Sequence, residues 1–585
     1  MLRCNRRAPT YILLTFSLFV SINVGLGIQL AQAGGAACPV PANNSWTSNE
    51  KQVWETLCKG REANLTQTNT DKLSSRSFAI RAEFLEEIVR QNKYKLPLED
   101  KGLRLFGAEV TGPLDLSYTT ISYLLALDGC RFNALVNLQG MRTDHTVSFN
   151  GSTFYSDLDL SLIKVKGVLD LTHGSFRSVN LQGAHVDNQL QLNESTFEKK
   201  ITMGGIRTGT SVMMRSATFK GDVDLHASYI GRDVSGQNSS FLGALNLDGA
   251  QVDDSVTLTS EDPDRPEKRT VPTKISKLDL SGARIGKGVY IANAIIENEL
   301  MLTRVHVEDT LMISKSTINA KSVALDFSDL GSLFILASLV PSLDMTGAII
   351  HRNLGFGTNK WANDAKLTLR GTEAKSLIDR ADSWPNKLVL NGFVYLHTYP
   401  LGSDTIDFAG RDTQWLKDWV AKQVTYSPQP YKQLASVLLS AGYKEKADEI
   451  LIARKEQERS LAKGLDWGAL TLQKHFIGYG YHPILYTLWW MVLFVSLGSF
   501  LLYWEIPFNQ PYFFPPSSIG AALNQHLALW LYSLDRFLPV VNLESHITPK
   551  IELSGWLKNW FNVQQIMGYV VAAFLIAGLT GLVEK

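Results

Sequence analysis

Cysteine is scarce in this chain, four in 585 residues, which is too few for a disulfide scaffold. An excess of either charge is missing too: 57 Lys and Arg stand against 56 Asp and Glu, so nothing in the balance calls for nucleic acid. The 11 histidines show no HxxxH or HExxH spacing, and there is no CxxC, so no metal site is predicted. No GxGxxG follows a strand and opens a helix, which leaves a nicotinamide or flavin site of that type without support. The expected cofactor set is therefore empty. Charged residues are also few, at 19%, while tryptophan is abundant, at 13. Where the apolar residues sit explains both.

Arg3, Arg6 and Arg7 precede a charge-free apolar run from Ala8 to Ala37. Ala31-Gln32-Ala33 has the small-x-small form of a signal-peptidase site, predicting a signal peptide over 1–33 and a mature start at Gly34. An uncleaved anchor is the alternative. Gly35-Ala36-Ala37 before Cys38 lacks the branched apolar residue of a lipoprotein signal, so no lipid anchor is expected.

Two later segments are long enough to cross a bilayer. Residues 484–504 are charge-free and at ~1.5 Å per residue reach ~30 Å; residues 566–583 are shorter but uncharged. Trp467, Trp489, Trp490, Trp504, Trp530, Trp556 and Trp560 gather here, as an interfacial aromatic belt places them. A membrane domain over 483–585 is predicted, with membrane lipid as a partner. Export by the signal peptide puts the chain up to Ile484 outside the cytoplasm and 505–565 inside. Lys444, Lys446, Arg454, Lys455, Arg459 and Lys463 oppose that orientation; close to the spans, Lys474 and Lys585 balance Lys550 and Lys558. The expected location is a bacterial inner (cytoplasmic) membrane with the larger part periplasmic.

Between these ends the sequence is periodic. An apolar-x-apolar motif begins at Leu114, Leu125, Val136, Val147, Leu158 and Leu169, in steps of 11, and continues at Val179, Leu190, Ile201, Val212 and Val223. A second ladder has twice that period: Phe132, Phe154, Phe176, Phe197, Phe219 and Phe241. The unit is thus one coil of about 22 residues built from two similar halves, and such regularity marks a solenoid. Period-two triplets are short strands, not a helical face. Leu114 to Leu390 holds about 12 coils, a rod of ~60 Å at ~4.8 Å per coil. The predicted fold is mainly β, a parallel β-helix over 103–396, with a helical cap over 34–102 and a helical linker over 397–482.

SVNLQGAHV (178–186), ALNLDGAQV (244–252) and KLDLSGARI (277–285) resemble the A-(N/D)-L-x-G-A units of pentapeptide-repeat proteins. That resemblance implies a right-handed, four-sided β-helix. The 22-residue coil departs from the family's 20, implying wider or less square coils. The tail 430–459, followed by two spans, is similar to a group of bacterial membrane proteins carrying such repeats and often labelled membrane-associated oxidoreductases. The similarity extends over 78–585, but the residues carry no redox motif.

Smaller signals complete the reading. Thr47-x-x-Glu50 is a capping box, and Phe78, Phe84, Leu85, Ile88 and Val89 form the stripe of a second helix; together these cap the first coil. The insert 260–274 reads as an exposed loop, and 431–442 with 443–463 as a helical hairpin broken at Gly442. Cys38 and Cys58 can form a disulfide in an oxidising compartment. Cys130 occupies the place of Ser152 and Ser195 in later coils, a small core residue and not a nucleophile. Asp115, Asn137, Asp159, Asn180, Thr202, Asp224 and Asn246 form an outward stripe, read as a solvated strand, with cation or polysaccharide binding as the alternative. Gly478-Tyr479-Gly480 looks like a potassium filter, but it precedes the first span, where no filter can work. In 527–544, Asp535, Arg536, Pro539 and Asn542 mark either an interfacial helix or a re-entrant element.

These readings converge on a non-catalytic scaffold at the bacterial envelope. Its partner would be an unidentified protein or envelope polymer, and homo-oligomers are possible. A small channel or transporter using 505–565 is the first alternative. An envelope oxidoreductase or polysaccharide-active enzyme is the second; it rests on fold analogy or label alone, and no catalytic residue can be named for it.

Overall fold

A computed structural model describes residues 38–66, 78–99, 101–260, 272–402, 404–481, 483–505, 525–538, 551, 553 and 555–579. The signal segment, most of the 260–274 insert, Pro539 and Asn542 lie outside the described residues.

The apolar-x-apolar triplets become strands that stack in parallel into a β-solenoid of about 13 turns. Each early coil has four short strands, as at Leu114–Asp115, Thr120–Ile121, Leu125–Asp128 and Arg131–Phe132. We number the four faces in that order. Each strand pairs with the residue one coil on: Val147 with Leu169, Leu169 with Leu190. Period-two alternation turns every second side chain inward, so Leu114, Ile121, Leu125 and Phe132 are buried and Asp115 and Thr120 exposed. The last strand runs to Pro400, four residues past the expected end of the solenoid.

Corners explain the Gly-Ala half of the motif. Four residues after each first apolar position the backbone takes positive φ: Gly140 (+63°), Leu162 (+58°), Gly183 (+63°), Gly205 (+66°), Ala227 (+50°). Glycine has no Cβ to resist that conformation. Gly140 has a second constraint, because a Cβ there would lie 2.7 Å from the ring of Tyr118 one coil earlier. At another corner a serine ladder satisfies inward backbone groups. Ser152 Oγ accepts from Cys130 N (3.0 Å) and donates to Leu127 O (2.7 Å), and Ser195 does the same for Gly174 and Leu171. Cys130 sits fully buried in that ladder, and burial pushes its thiol up to about 12.

Both ends are closed. Helices α1 (Ser48–Leu57), α2 (Ala82–Arg90) and α3 (Asn92–Glu99) cap the first coil. Trp46, Trp54, Phe84 and Tyr94 pack there edge-to-face, and Ala79–Arg81 pairs with Glu109–Thr111. A disulfide joins Cys38 to Cys58. At the far end α4 (Thr413–Ala421) lays Leu416, Trp419 and Val420 over the core. In α5 (Pro428–Ser440), the side-chain amides of Gln429 and Gln433 donate to Phe393 O (3.2 Å) and Tyr395 O (2.6 Å), covering the last open edge. Helix α6 (Lys444–Leu461) follows after Gly442, where the expected hairpin breaks.

Beyond α7 (Leu465–Ile477) come α8 (Pro483–Glu505), α9 (Gln525–Phe537) and α10 (Gly555–Leu579). Among the described residues one helix is long and apolar enough to cross a membrane, Leu485–Glu505 within α8. Residues 566–579 of the expected second span lie in α10, which starts eleven residues earlier than predicted and carries Lys558, Gln564 and Gln565. Leu502 packs with Leu529, Tyr532, Leu557 and Phe561; Val495 packs with Phe537 and Val571. Helices α9 and α10 therefore run side by side, both antiparallel to α8.

Candidate functional site

Three places combine polar chemistry with defined geometry: the outward faces of the solenoid, its C-terminal cap, and the helices beyond.

The first-face stripe is a set of turn caps. Asp115, Asn137, Asp159, Asn180 and Asn246 each accept, through Oδ1, the backbone N–H two residues on, at 2.8, 3.1, 2.9, 3.2 and 3.0 Å. Amides also bridge coils: Asn180 Nδ2 donates to Asp159 Oδ1 (3.2 Å) and Asn246 Nδ2 to Asp224 Oδ1 (3.1 Å). Asn interleaved with Asp thus turns carboxylate repulsion into hydrogen bonds.

A second stripe, which the sequence reading passed over, lies on the next face. Arg142, Lys164, His185 and Arg207 pair in register on consecutive coils, followed by Tyr229, Gln251, Arg284 and His306. The first seven are exposed. Its signal was a basic residue every 21–22 positions, two beyond each left-handed corner.

At the C-terminal cap, Asp379 is fully buried against Arg411. Arg411 donates to Asp379 Oδ2 (2.8 Å), Oδ1 (3.0 Å) and backbone O (3.1 Å), and Trp384 Nε1 also donates to Oδ2. Burial pushes the Asp379 carboxyl above its ordinary value, and Arg411 and Trp384 pull against that. The guanidinium lies 4.5 Å from the Trp415 ring. Nearby, Trp361, Asn363, Asp364, Trp384 and Lys387 line a cleft of about 410 Å³, its rim closed by an Asp364–Lys387 ion pair at 2.9 Å.

The Gly-Tyr-Gly segment is a joint. Tyr479 is buried at φ +58° and its hydroxyl donates to Glu456 of α6 (3.2 Å). Lys474 (2.8 Å) and Arg459 (2.9 Å) reach the same carboxylate. Burial alone would raise Glu456; the hydrogen bonds from Lys474 and Arg459 outweigh it and hold the group below the usual range.

Within the helical bundle, Gln564 Nε2 donates to the backbone O and Oγ of Ser533, both at 2.9 Å, with both residues fully buried. A Cβ on Gly498 would sit 2.4 Å from Ser533 Oγ and 2.5 Å from Gln564 Oε1, so only glycine fits. Asp535 and Arg536 follow Ser533 by two and three residues, within one turn of this junction. Asp535 is half-buried, and Arg536 is exposed, 5.4 Å from the Tyr532 ring. They lie on a helix packed against α8 and α10, not on one standing apart. Among the described residues no group of three or more His, Cys, Asp or Glu converges as a metal site.

No family model, curated protein or solved structure matches the chain.

Proposed function

We propose that this protein is a membrane-anchored β-solenoid, with the right-handed coil of pentapeptide-repeat proteins, that serves as a structural or interaction scaffold at the bacterial envelope. The carrying observation is mechanical continuity. Helix α6 is fixed to the solenoid cap by Lys446, which donates to Ala409, Gly410 and Arg411 carbonyls (3.3, 3.0 and 2.8 Å), and by Glu456 to α7 and the Tyr479 joint ahead of the apolar helices. A rod closed at both ends and joined through α6 and α7 to an apolar bundle suits presentation of a surface at fixed height.

In this reading α8 and α10 are the two spans. Leu485, Leu488, Trp489, Val492, Phe500 and Trp504 of α8, and Val563, Ile566, Tyr569 and Ile576 of α10, point away from the protein, as lipid-facing residues do. The solenoid would stand on the periplasmic side of the inner membrane. Alkaline carbonate extraction of membranes carrying the full chain tests the anchor: retention in the pellet is expected, and release overturns it.

One observation favours a channel or transporter as a second reading. Helix α9 is 13 residues, ~20 Å, too short to span. It runs alongside α8 from the level of Leu502 to that of Val495, and Trp556 at the start of α10 hydrogen-bonds Glu505 at the end of α8 (2.8 Å). With α8 and α10 in a bilayer, the segment between them enters and leaves from one side. Ion flux in proteoliposomes that changes with Asp535→Asn or Arg536→Gln supports this reading; flux absent from the parent protein removes it.

A further inference from the structure

The second face carries like charges where a sheet should avoid them. Arg142 and Lys164 are directly opposite one another, and Arg207 follows two coils beyond Lys164 with the Asp187-paired ring of His185 between them. Like charges so placed destabilise a sheet. The neighbouring first face solves the same problem by interleaving asparagine and hydrogen-bonding it to aspartate; the second face does not.

Nor do nearby carboxylates neutralise its arginines and its lysine, although Asp187 pairs with the His185 ring. Asp144 is taken by Lys166 (3.0 Å), Asp187 by His185 (2.8 Å) and Asp253 by the Tyr229 hydroxyl (2.5 Å). Arg142, Lys164, Arg207 and Arg284 have no ion pair among the described residues. Eight successive rungs, from Arg142 to His306, contain no acid, and the row ends where His306 meets Asp329 (3.1 Å). Along one edge run the left-handed corner residues, Gly140, Gly183, Gly205, Gly249 and Gly282 with Leu162 and Ala227 among them.

We propose that this face binds an extended acidic polysaccharide lying along the solenoid axis. The inference names a partner for the scaffold reading and rests on it. Three features select that chemistry. The rungs advance by ~4.8 Å, close to the advance of one sugar unit in an extended chain, so carboxylates on a polyuronate meet cations at matching intervals. The row is one residue per coil, which fits a single flexible strand and not a duplex. In mid-row the exposed Tyr229 ring and the Gln251 amide supply a stacking surface and hydrogen bonds suited to sugar rings and hydroxyls.

The test uses the full chain in detergent and polygalacturonate as probe, with neutral dextran, single-stranded DNA and anionic phospholipid vesicles in parallel. Polygalacturonate binding is expected to weaken at least about tenfold between 50 and 200 mM salt, as release of counterions from several contacts requires. The triple variant Arg142→Gln/Lys164→Gln/Arg207→Gln should lose binding at least tenfold while melting at or above the parent temperature, because it relieves repulsion. Lys199→Gln/Lys321→Gln/Lys360→Gln, on and beside the opposite face, should bind as the parent does. Binding no stronger than to dextran, binding that survives the first triple variant, or equally tight capture of DNA or vesicles through the same residues would each overturn the proposal. Carbonate extraction of the same variants reads the anchor separately, so failure of either claim is recognisable by itself.

Discussion

Phe197 and Phe219, 22 residues apart, stack with ring centroids 4.9 Å apart and planes only 6° from parallel. They belong to a column that runs from Phe132 to Phe241 at 4.4 to 5.1 Å per step. Each coil is too short to bury its own core, so the column is where neighbouring coils hold one another. Phe219→Ala removes one fully buried ring from its middle and should cost about 3–5 kcal/mol. Hydrogen exchange should show the loss locally, over the coils carrying Phe197 and Phe241, with the N-terminal cap protected as before.

Asp379 and Arg411 lock the far end. Asp379→Asn strands a buried guanidinium and should destabilise the cap by about 3–5 kcal/mol, read as earlier melting of the tryptophan fluorescence of Trp384 and Trp419. Unchanged melting would show that the pair contributes nothing net.

Acid should loosen the opposite end. Glu50 is buried and accepts from Thr47 N (2.7 Å), Arg81 Nε (2.9 Å) and Arg81 N (3.0 Å). Burial raises its carboxyl, but the Arg81 and Thr47 hydrogen bonds prevail and the net shift is downward. The folded state therefore favours the ionised form. That stabilisation is complete above the unfolded value of about 4.3 and is lost as pH falls through the lower folded value. The melting temperature of the cap should drop over that window, and Glu50→Gln should lower it at pH 7 while flattening the dependence.

Thiol chemistry separates the described cysteines. Cys58→Ser opens the 20-residue loop closed by the disulfide and should destabilise the cap by about 3 kcal/mol. Cys130, buried and with its thiol raised, should resist alkylation until the solenoid unfolds. A mass-spectrometric count of alkylated sites before and after denaturation checks both.

The joint at Tyr479 is open to proteolysis. Glu456→Ala leaves Lys474, Arg459 and the Tyr479 hydroxyl without their common acceptor. Trypsin should then cut faster at Lys463 and Lys474, with the solenoid fragment otherwise intact.

Much of the fold was legible because two periods coincide. Apolar-x-apolar triplets fixed the strands, and the phenylalanines every 22 residues fixed the coil. The left-handed corner four residues after each first apolar position came only from the structure, although glycine at Gly140, Gly183 and Gly205 marks it. The basic face was equally periodic, but Arg142, Lys164 and Arg207 fall in no motif, while Asp115 and Asp159 cap turns. The Gln564–Ser533 junction had no such signal, since it joins residues 31 apart on different helices with no repeat behind them. For α10, charge-free length marks only 566–583, although the helix itself begins earlier, at Gly555. The part of the Gly-Tyr-Gly segment as a joint depends on Glu456, which only tertiary packing brings near.

Sidedness is the most direct test of a scaffold presented outside the cytoplasm. Protease sites placed in the 261–271 insert and in the 545–550 stretch of the full chain would be probed on intact spheroplasts. Cleavage in the insert with protection at 545–550 is the predicted result. Protection of the insert with cleavage at 545–550 would place the solenoid in the cytoplasm and contradict the account.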